Sequence, residues 1–281
     1  MQKLWISGAN GQLGKAIFEM VDTDNYEILT TDIDDVDITN IDDVLLYGEM
    51  NRPDVIINCS AMTNLQECEA NPSKAFHINA LGARNLSIVA QKLQAKLVHL
   101  SSDDVFDGTY DKPYNEYDTT NPQTVYGRSK DAGEKYVKEF TQKHFIIRST
   151  WVYGSGNNFV NRVLKKLDSG EVLSIANDQV GSPTSAKDLA RFILTLIQTN
   201  EYGTFHATCE GSCTRYEFAQ EIMRLTGKKA ILNPVATINS DFSTSRPPYA
   251  VLDNFVLSMV KNHEFPTWQE SLAEYIKSLS E

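Results

Sequence analysis

Positive charge is scarce in this chain. Its 26 lysines and arginines face 37 aspartates and glutamates, for a formal net charge of −11, and no basic cluster interrupts the acidic balance. Such a chain repels nucleic-acid phosphates and anionic lipid, which argues against both as partners. Long apolar runs are missing too: the stretch around Phe192 to Ile197 falls far short of the ~20 residues that a membrane span needs. The opening MQKLWISGANGQLG carries one lysine and a short apolar strand before its glycines. It has neither the h-region nor the small-residue cleavage site of a secretory leader, so a cytoplasmic location is expected. Cysteine is sparse: Cys59, Cys68, Cys209 and Cys213 are too few and too scattered for a disulfide framework, and a reducing compartment keeps them as thiols. Cys209 and Cys213 have only His206 close by in sequence, short of the second ligand pair that a zinc site requires.

What remains is an ordinary globular composition, 41% hydrophobic, 10% aromatic and 22% charged over 281 residues, enough for one large domain or two joined lobes. Short β-branched runs alternate with longer amphipathic stretches: Leu4–Ser7 then Gln12–Val21, Tyr26–Thr30 then Ile41–Met50, Val55–Asn58 then Pro72–Leu93, Leu97–Ser101 then Val125–Thr141, and Phe145–Ile147. That rhythm predicts βαβ units and a parallel sheet. VIIN and FIIR are continuously apolar, as strands covered by helices on both faces must be, so the expected class is α/β, a Rossmann-like doubly wound sheet. The dinucleotide-binding domain is expected over residues 1–150. Beyond it, mixed helices, short strands and proline-containing loops predict a smaller mixed α/β substrate-binding lobe over 151–281, with the helix near 186–198 packing back on the first domain.

Gly8-Ala9-Asn10-Gly11-Gln12-Leu13-Gly14 follows the first predicted strand and opens the first helix. Backbone N–H groups and a helix N-terminus can there face a pyrophosphate. Asp32, eighteen residues past Gly14, falls at the end of the second strand, where a carboxylate can accept hydrogen bonds from ribose hydroxyls. The following Ile33-Asp34-Asp35-Val36-Asp37 offers no cation for a 2′-phosphate. NADH is therefore favoured, although Thr31 and a turned Asp32 leave NADPH open.

Tyr126-Gly127-Arg128-Ser129-Lys130 places a tyrosine and a lysine at i,i+4 on one helix face. A charge about 4 Å from the phenol, at an effective dielectric near 20, is worth roughly 4 kcal/mol, enough to bring a tyrosine from about 10 to near 7. Such a phenol can protonate a carbonyl oxygen as hydride reaches its carbon. A hydroxyl at the end of the fourth strand completes the set. Leu100-Ser101-Ser102-Asp103 offers two; strand alternation decides between them, and Ser102 is the expected one, sharing the developing charge with Tyr126.

The GxxGxxG spacing resembles the extended branch of the short-chain dehydrogenase/reductase superfamily. In that superfamily Asp37-Ile38 matches a pair set against adenine, Cys59-Ser60-Ala61 a segment under the cofactor ribose, and Asn79 an asparagine that supports a water and lysine relay or packs the helix. More narrowly, GANGQLG, SSDDVFDG with PYNEYD, NPQTVYGRSKDAGE, IRSTWVYG, NFV, DQVGSPTSAKDLA and RPPYAVLDN resemble, in order and over nearly the whole chain, the blocks of the dTDP-4-dehydrorhamnose reductases. The resemblance implies reduction of the C4 ketone of dTDP-4-dehydro-L-rhamnose to dTDP-L-rhamnose with NADH or NADPH, for cell-surface polysaccharide.

Carried over, Ser102, Tyr126 and Lys130 form the catalytic triad, Asp103 touches the sugar, and Thr63 and Leu65 approach it. Trp151 walls the pocket or fills an interlobe core, and Arg246 meets the diphosphate or anchors its loop. Two departures stand out. The family block Ser-Thr-Asp-Tyr-Val-Phe-Asp-Gly here has Ser102 for threonine and Asp104 for tyrosine, and the loop Met62–Glu67 lacks the usual aromatic and Asp-Lys pair. Serine keeps the hydroxyl, whereas Asp104 is expected to bring negative charge against the ligand and alter sugar choice. Reduction of another nucleotide 4-keto-deoxysugar, or a non-catalytic role like that of the regulatory subunit of methionine adenosyltransferase, are the alternatives. Relatives differ in forming a homodimer and in a glutamate-held Mg2+; no ligand spacing here calls for a metal.

Overall fold

All four residues of Val55–Asn58 are buried, which requires cover on both faces of the sheet they join. A computed structural model, describing residues 1–240, 246–260 and 264–279, supplies that cover. β1 (Gln2–Ser7), β2 (Tyr26–Thr31), β3 (Val55–Asn58), β4 (Lys96–Ser102), β5 (His144–Ser149) and the strand Gly203–His206 form one parallel sheet in the order β2-β1-β3-β4-β5 and then Gly203–His206. The chain winds outward from β1 to β2, then returns to β3 on the other side of β1. A crevice opens where the winding reverses, at the carboxyl ends of β1 and β3. The α/β, Rossmann-like doubly wound class expected from the pattern is the observed one.

Alternate residues of β1 feed two cores. Leu4 and Ile6 join Ile17, Phe192 and Ile193 on one face, where α1 (Gln12–Met20) packs on the helix Ala186–Leu196. Trp5 joins Ile56, Val44 and Leu86 on the other, under α2 (Ile41–Asn51), Gly82–Leu93 and Val125–Phe140. The larger cluster continues into the second half through Trp151, Phe159, Phe218 and Trp268. Small sheets finish that half, pairing Val180–Gly181 with Cys213–Thr214 and Tyr249–Ala250 and Leu173–Ala176 with Leu232–Val235.

Two features differ from the pattern reading. Pro72–Leu93, expected as one helix, is Pro72–Phe76, a π-helical turn His77–Leu81, and Gly82–Leu93; such turns insert a residue and re-aim the side chains around it. Gly203–His206, too short to assign from pattern, extends the main sheet by pairing with β5. Among the described residues no helix is long and apolar enough to cross a membrane.

Candidate active site

The glycine turn is built for close approach. Gly8 has φ +76°, and a Cβ on it would lie 2.6 Å from the Ser60 nitrogen; one on Gly14 would lie 2.4 Å from the Gly8 oxygen. β1, the turn and α1 are thereby pressed against the segment after β3. Six helices, starting at Ile41, Val125, Phe159, Ala186, Arg215 and Trp268, are capped by the side chains of Asn40, Thr124, Asn158, Ser185, Thr214 and Thr267. α1 begins at Gly11 with no side-chain cap. Its first amides are therefore left for an anion, the arrangement that a dinucleotide pyrophosphate takes.

Asp32 stands at the edge of this turn, accepting from the Asn10 amide at 3.1 Å and the Ile33 amide at 2.9 Å. Ser60 Oγ lies 2.9 Å from Ser7 Oγ, and the Ser60 amide donates to Asn58 Oδ1 at 3.1 Å, so Cys59, Ser60 and Ala61 form an anchored, half-buried floor. Leu13 is buried and belongs to the core, leaving its backbone to the cradle. Gln12 reaches across the cleft, its Oε1 accepting from Asn158 Nδ2 at 3.1 Å. Exposed Ile33 and the Asp37 backbone region border a shallow hollow with Thr39 and His77. Ile38 departs from expectation: it is buried against Gly82, where a Cβ would meet it at 2.5 Å, and offers the hollow no surface.

Ser102 and Tyr126 line the inner end of the crevice, and Lys130, one helical turn on from the tyrosine, is buried behind them; all three are nearly buried. Thr124 starts the helix of Tyr126, its side chain accepting from the Gly127 amide at 2.9 Å. Gly127 has to be glycine because a Cβ there would lie 2.0 Å from the Asp104 carbonyl oxygen. This contact seats the tyrosine beside the end of β4, where its phenol meets the Ser102 hydroxyl. Both adjacent serines border the cleft, and their hydroxyls take different partners: Ser101 Oγ donates to Glu134 at 2.5 Å, and Ser102 Oγ to Asp103 Oδ1 at 2.8 Å. Asn79, carried on the π-helical turn, uses its side chain fully. It accepts from the Met62 amide at 2.8 Å and donates to the Met62 carbonyl at 3.0 Å and Ser129 Oγ at 2.9 Å, clamping the loop after β3 to the catalytic helix.

The acidity of Tyr126 runs against the sequence argument. Burial pushes the phenol above its ordinary 10, the Asp104 carboxylate pushes it further, and Arg246 and the Ser102 hydrogen bond pull back. Burial and Asp104, not the lysine one turn along the helix, set the direction of the shift. The Lys130 ammonium is pulled down to about 8 by burial, against the Glu134 carboxylate. Removing an ion from water outweighs one nearby opposite charge, so the phenol stays protonated, which is the form a proton donor needs.

Beyond the triad lies a cleft of about 430 Å³. Thr63, Leu65, Asp103, Trp151 and Arg246 all line it. Asp104 does not: it is wholly buried behind the lining, its Oδ2 lying 3.1 Å from Arg246 Nη1. Its expected contact with the ligand is thus corrected, because the short turn Asp103–Val105 directs successive side chains to different sides. Trp151 is both wall and core, with φ +48° and only 8% exposed. Arg215 stacks on its ring with the guanidinium carbon 3.4 Å from the centroid, and Gly181 lies so close that a Cβ would meet the indole at 2.6 Å. Arg215 and Arg162, not singled out from sequence, line the cleft with Arg246. In sequence they are solitary arginines on helices, and only the fold converges them. Within an acidic chain this is a concentrated cationic wall, matched to a ligand bearing several negative charges.

A parallel sheet with a glycine cradle at its switch point, and a serine, tyrosine and lysine converging beside it, define an oxidoreductase of the short-chain dehydrogenase/reductase type. Comparison with known proteins narrows this. The family model described as RmlD substrate binding domain matches residues 1–281. A Clostridium acetobutylicum dTDP-4-dehydrorhamnose reductase structure is 42% identical with a TM-score of 0.97, over 100% of both chains. One from Bacillus anthracis, solved with NADP, is 38% identical with a TM-score of 0.96, over 99% of this chain and 100% of its own. Among curated proteins, the spore coat polysaccharide biosynthesis protein SpsK of Bacillus subtilis is 34% identical over 100% of this chain and 99% of its own. The chain belongs to the dTDP-4-dehydrorhamnose reductase family.

Proposed function

We propose that the chain reduces the C4 ketone of dTDP-4-dehydro-L-rhamnose to the alcohol of dTDP-L-rhamnose. The observation that carries this reading is that Ser102 and Tyr126 line one cleft with Gln12 of the glycine turn and with Arg162, Arg215 and Arg246, while Lys130 is buried one helical turn on from the tyrosine. Gly8, Asn10, Gly11, Gln12 and Gly14 with the α1 amides would hold the pyrophosphate, and Asp32 the adenosine ribose. The close approach at Gly8 and Gly14, where side chains cannot fit, and the uncapped helix start fit a dinucleotide. A reduced nicotinamide supplies hydride when bound.

The residues of this chain do the rest. Tyr126 gives its proton to the ketone oxygen, and Ser102 hydrogen-bonds the same oxygen as it gains charge. Lys130, whose charge acts on Cys59 of the floor, would hold the cofactor ribose and help recharge the phenol. Arg215 and Arg246 take the diphosphate, while Trp151 and Leu65 offer apolar surface to the deoxysugar. Either reduced nicotinamide serves: Asp32 favours NADH, and a relative 38% identical was solved with NADP. The cytoplasm, where reduced nicotinamides and nucleotide sugars are made, is the proposed location.

Purified protein is to be given dTDP-4-dehydro-L-rhamnose with NADH and, separately, NADPH, following nicotinamide absorbance and identifying the sugar. Formation of dTDP-L-rhamnose supports the reading. Substituting Tyr126→Phe should then lower turnover by about 10²- to 10⁴-fold with cofactor binding retained; retained turnover would remove the phenol from the mechanism. Oxidation of the cofactor only with another nucleotide 4-keto-sugar would reassign the substrate.

A further inference from the structure

Lys130 is 2% exposed, and burial makes its charge hard to keep. The groups that act on it come from two neighbouring segments and from its own helix. Cys59, after β3, has its thiol pushed up to about 12 by burial, and His99, on β4, is driven well below its ordinary 6.5 by burial and by Lys130 itself. Both are neutral at working pH. Glu134, one turn further along the same helix, is different. Burial raises its carboxyl, but Arg148 and Ser101 more than offset that and keep it ionised. Its carboxylate, four residues on from Lys130 along the helix and equally buried, raises the lysine against the pull of burial.

The geometry around Glu134 is a three-way tie. Its Oε1 accepts from Arg148 Nε at 2.9 Å and from Ser101 Oγ at 2.5 Å, and its Oε2 from Arg148 Nη2 at 2.7 Å. Lys138 approaches Oε2 at 3.9 Å from the solvent side. Arg148 is itself buried, with the Phe106 ring centre 5.1 Å from its guanidinium carbon and the His206 Nε2 at 3.5 Å. Ser101 precedes the catalytic serine on β4, Arg148 lies on β5, and Glu134 shares a helix with Tyr126 and Lys130. One carboxylate thus joins the strand that presents Ser102 to the helix that presents the other two.

We propose that Glu134 is the positioning residue of the triad, locking the helix of Tyr126 and Lys130 to β4 and β5 and supplying the counter-charge that keeps Lys130 an ammonium. This rests on the proposed role of Lys130 at the cofactor. It also assigns Ser101, left over when Ser102 takes the substrate, to holding Glu134.

The test is Glu134→Gln, which keeps shape and removes charge. Because Lys130 is needed protonated, activity falls as pH rises through its pKa, and losing the carboxylate moves that alkaline limb of kcat/KM to lower pH, by about one pH unit or more. The limb in Glu134→Asp, which keeps a carboxylate, should lie nearer the wild type even if its Tm falls. Reduced-nicotinamide affinity measured across the same pH range should show the same displacement. If wild-type protein turns over no substrate, the functional reading fails, while the pH dependence of cofactor affinity still decides the Glu134 claim. Should Glu134→Gln strand Arg148 and prevent folding, the comparison is made in an Arg148→Met background, where adding Glu134→Gln must move the limb to lower pH. A lowered Tm with an unmoved limb, in either variant, would reduce Glu134 to a structural ion pair and overturn the proposal.

Discussion

Asp104→Asn should make the protein more stable at alkaline pH, although it breaks an ion pair. Asp104 has no exposed surface, and among the described residues neither carboxylate oxygen has a hydrogen-bond partner. Burial drives its pKa up from an ordinary 3.8 to about 6, with Arg246 pulling down and Asp103 pushing up. A carboxyl whose folded pKa is raised binds its proton more tightly in the folded state, so ionisation costs stability; the cost is full above the folded pKa and fades as pH falls toward the unfolded one. At about 1.36 kcal/mol per tenfold change this is about 3 kcal/mol at pH 8 and about half of that at pH 5.

Asparagine resembles the protonated acid, so the substitution should recover about these amounts. The opposing risk is a stranded Arg246 charge. Its side chain retains 23% exposure into the cleft, which leaves the guanidinium partly hydrated. Urea unfolding of both proteins at several pH values reads the difference directly. A stability gain that grows from pH 5 to pH 8 is expected. Wild type proving the more stable at pH 8 would mean that the attraction to Arg246 exceeds the burial cost, and would refute the reasoning.

Two further outcomes follow from the cleft. Arg215→Lys keeps a cation but loses the planar stacking on Trp151 at 3.4 Å; a loss of about 1–2 kcal/mol in substrate binding is expected, read as a KM raised roughly five- to thirtyfold with kcat changed less, and an unchanged KM would take the arginine out of ligand recognition. Gly181→Ala places a methyl 2.6 Å from the Trp151 indole, so the ring must shift; steady-state kinetics should show a raised KM with cofactor affinity intact, whereas wild-type kinetics would mean that the wall yields freely.

Much of this protein is legible along the chain because its signals are local. Strand and helix periods depend on neighbours in sequence, and they place the doubly wound sheet. Glycines 8, 11 and 14 and the pair Tyr126 and Lys130 are spaced by a turn and by one helical repeat, so their convergence is decided by backbone geometry alone. Strand alternation separates Ser102 from Ser101 in the sequence, and the two hydroxyls take different partners, Asp103 and Glu134. The acidity of Tyr126 was not legible. Spacing brings a lysine near, but the sign of the shift depends on how much water is excluded and on Asp104, whose burial arises from contacts between distant segments. The same holds for Arg162, Arg215 and Arg246, scattered over the second half and gathered at one cleft only when that half folds against the sheet. Local pattern determines which backbone forms; desolvation and the meeting of remote charges belong to the tertiary structure, because both depend on three-dimensional distance rather than separation along the chain.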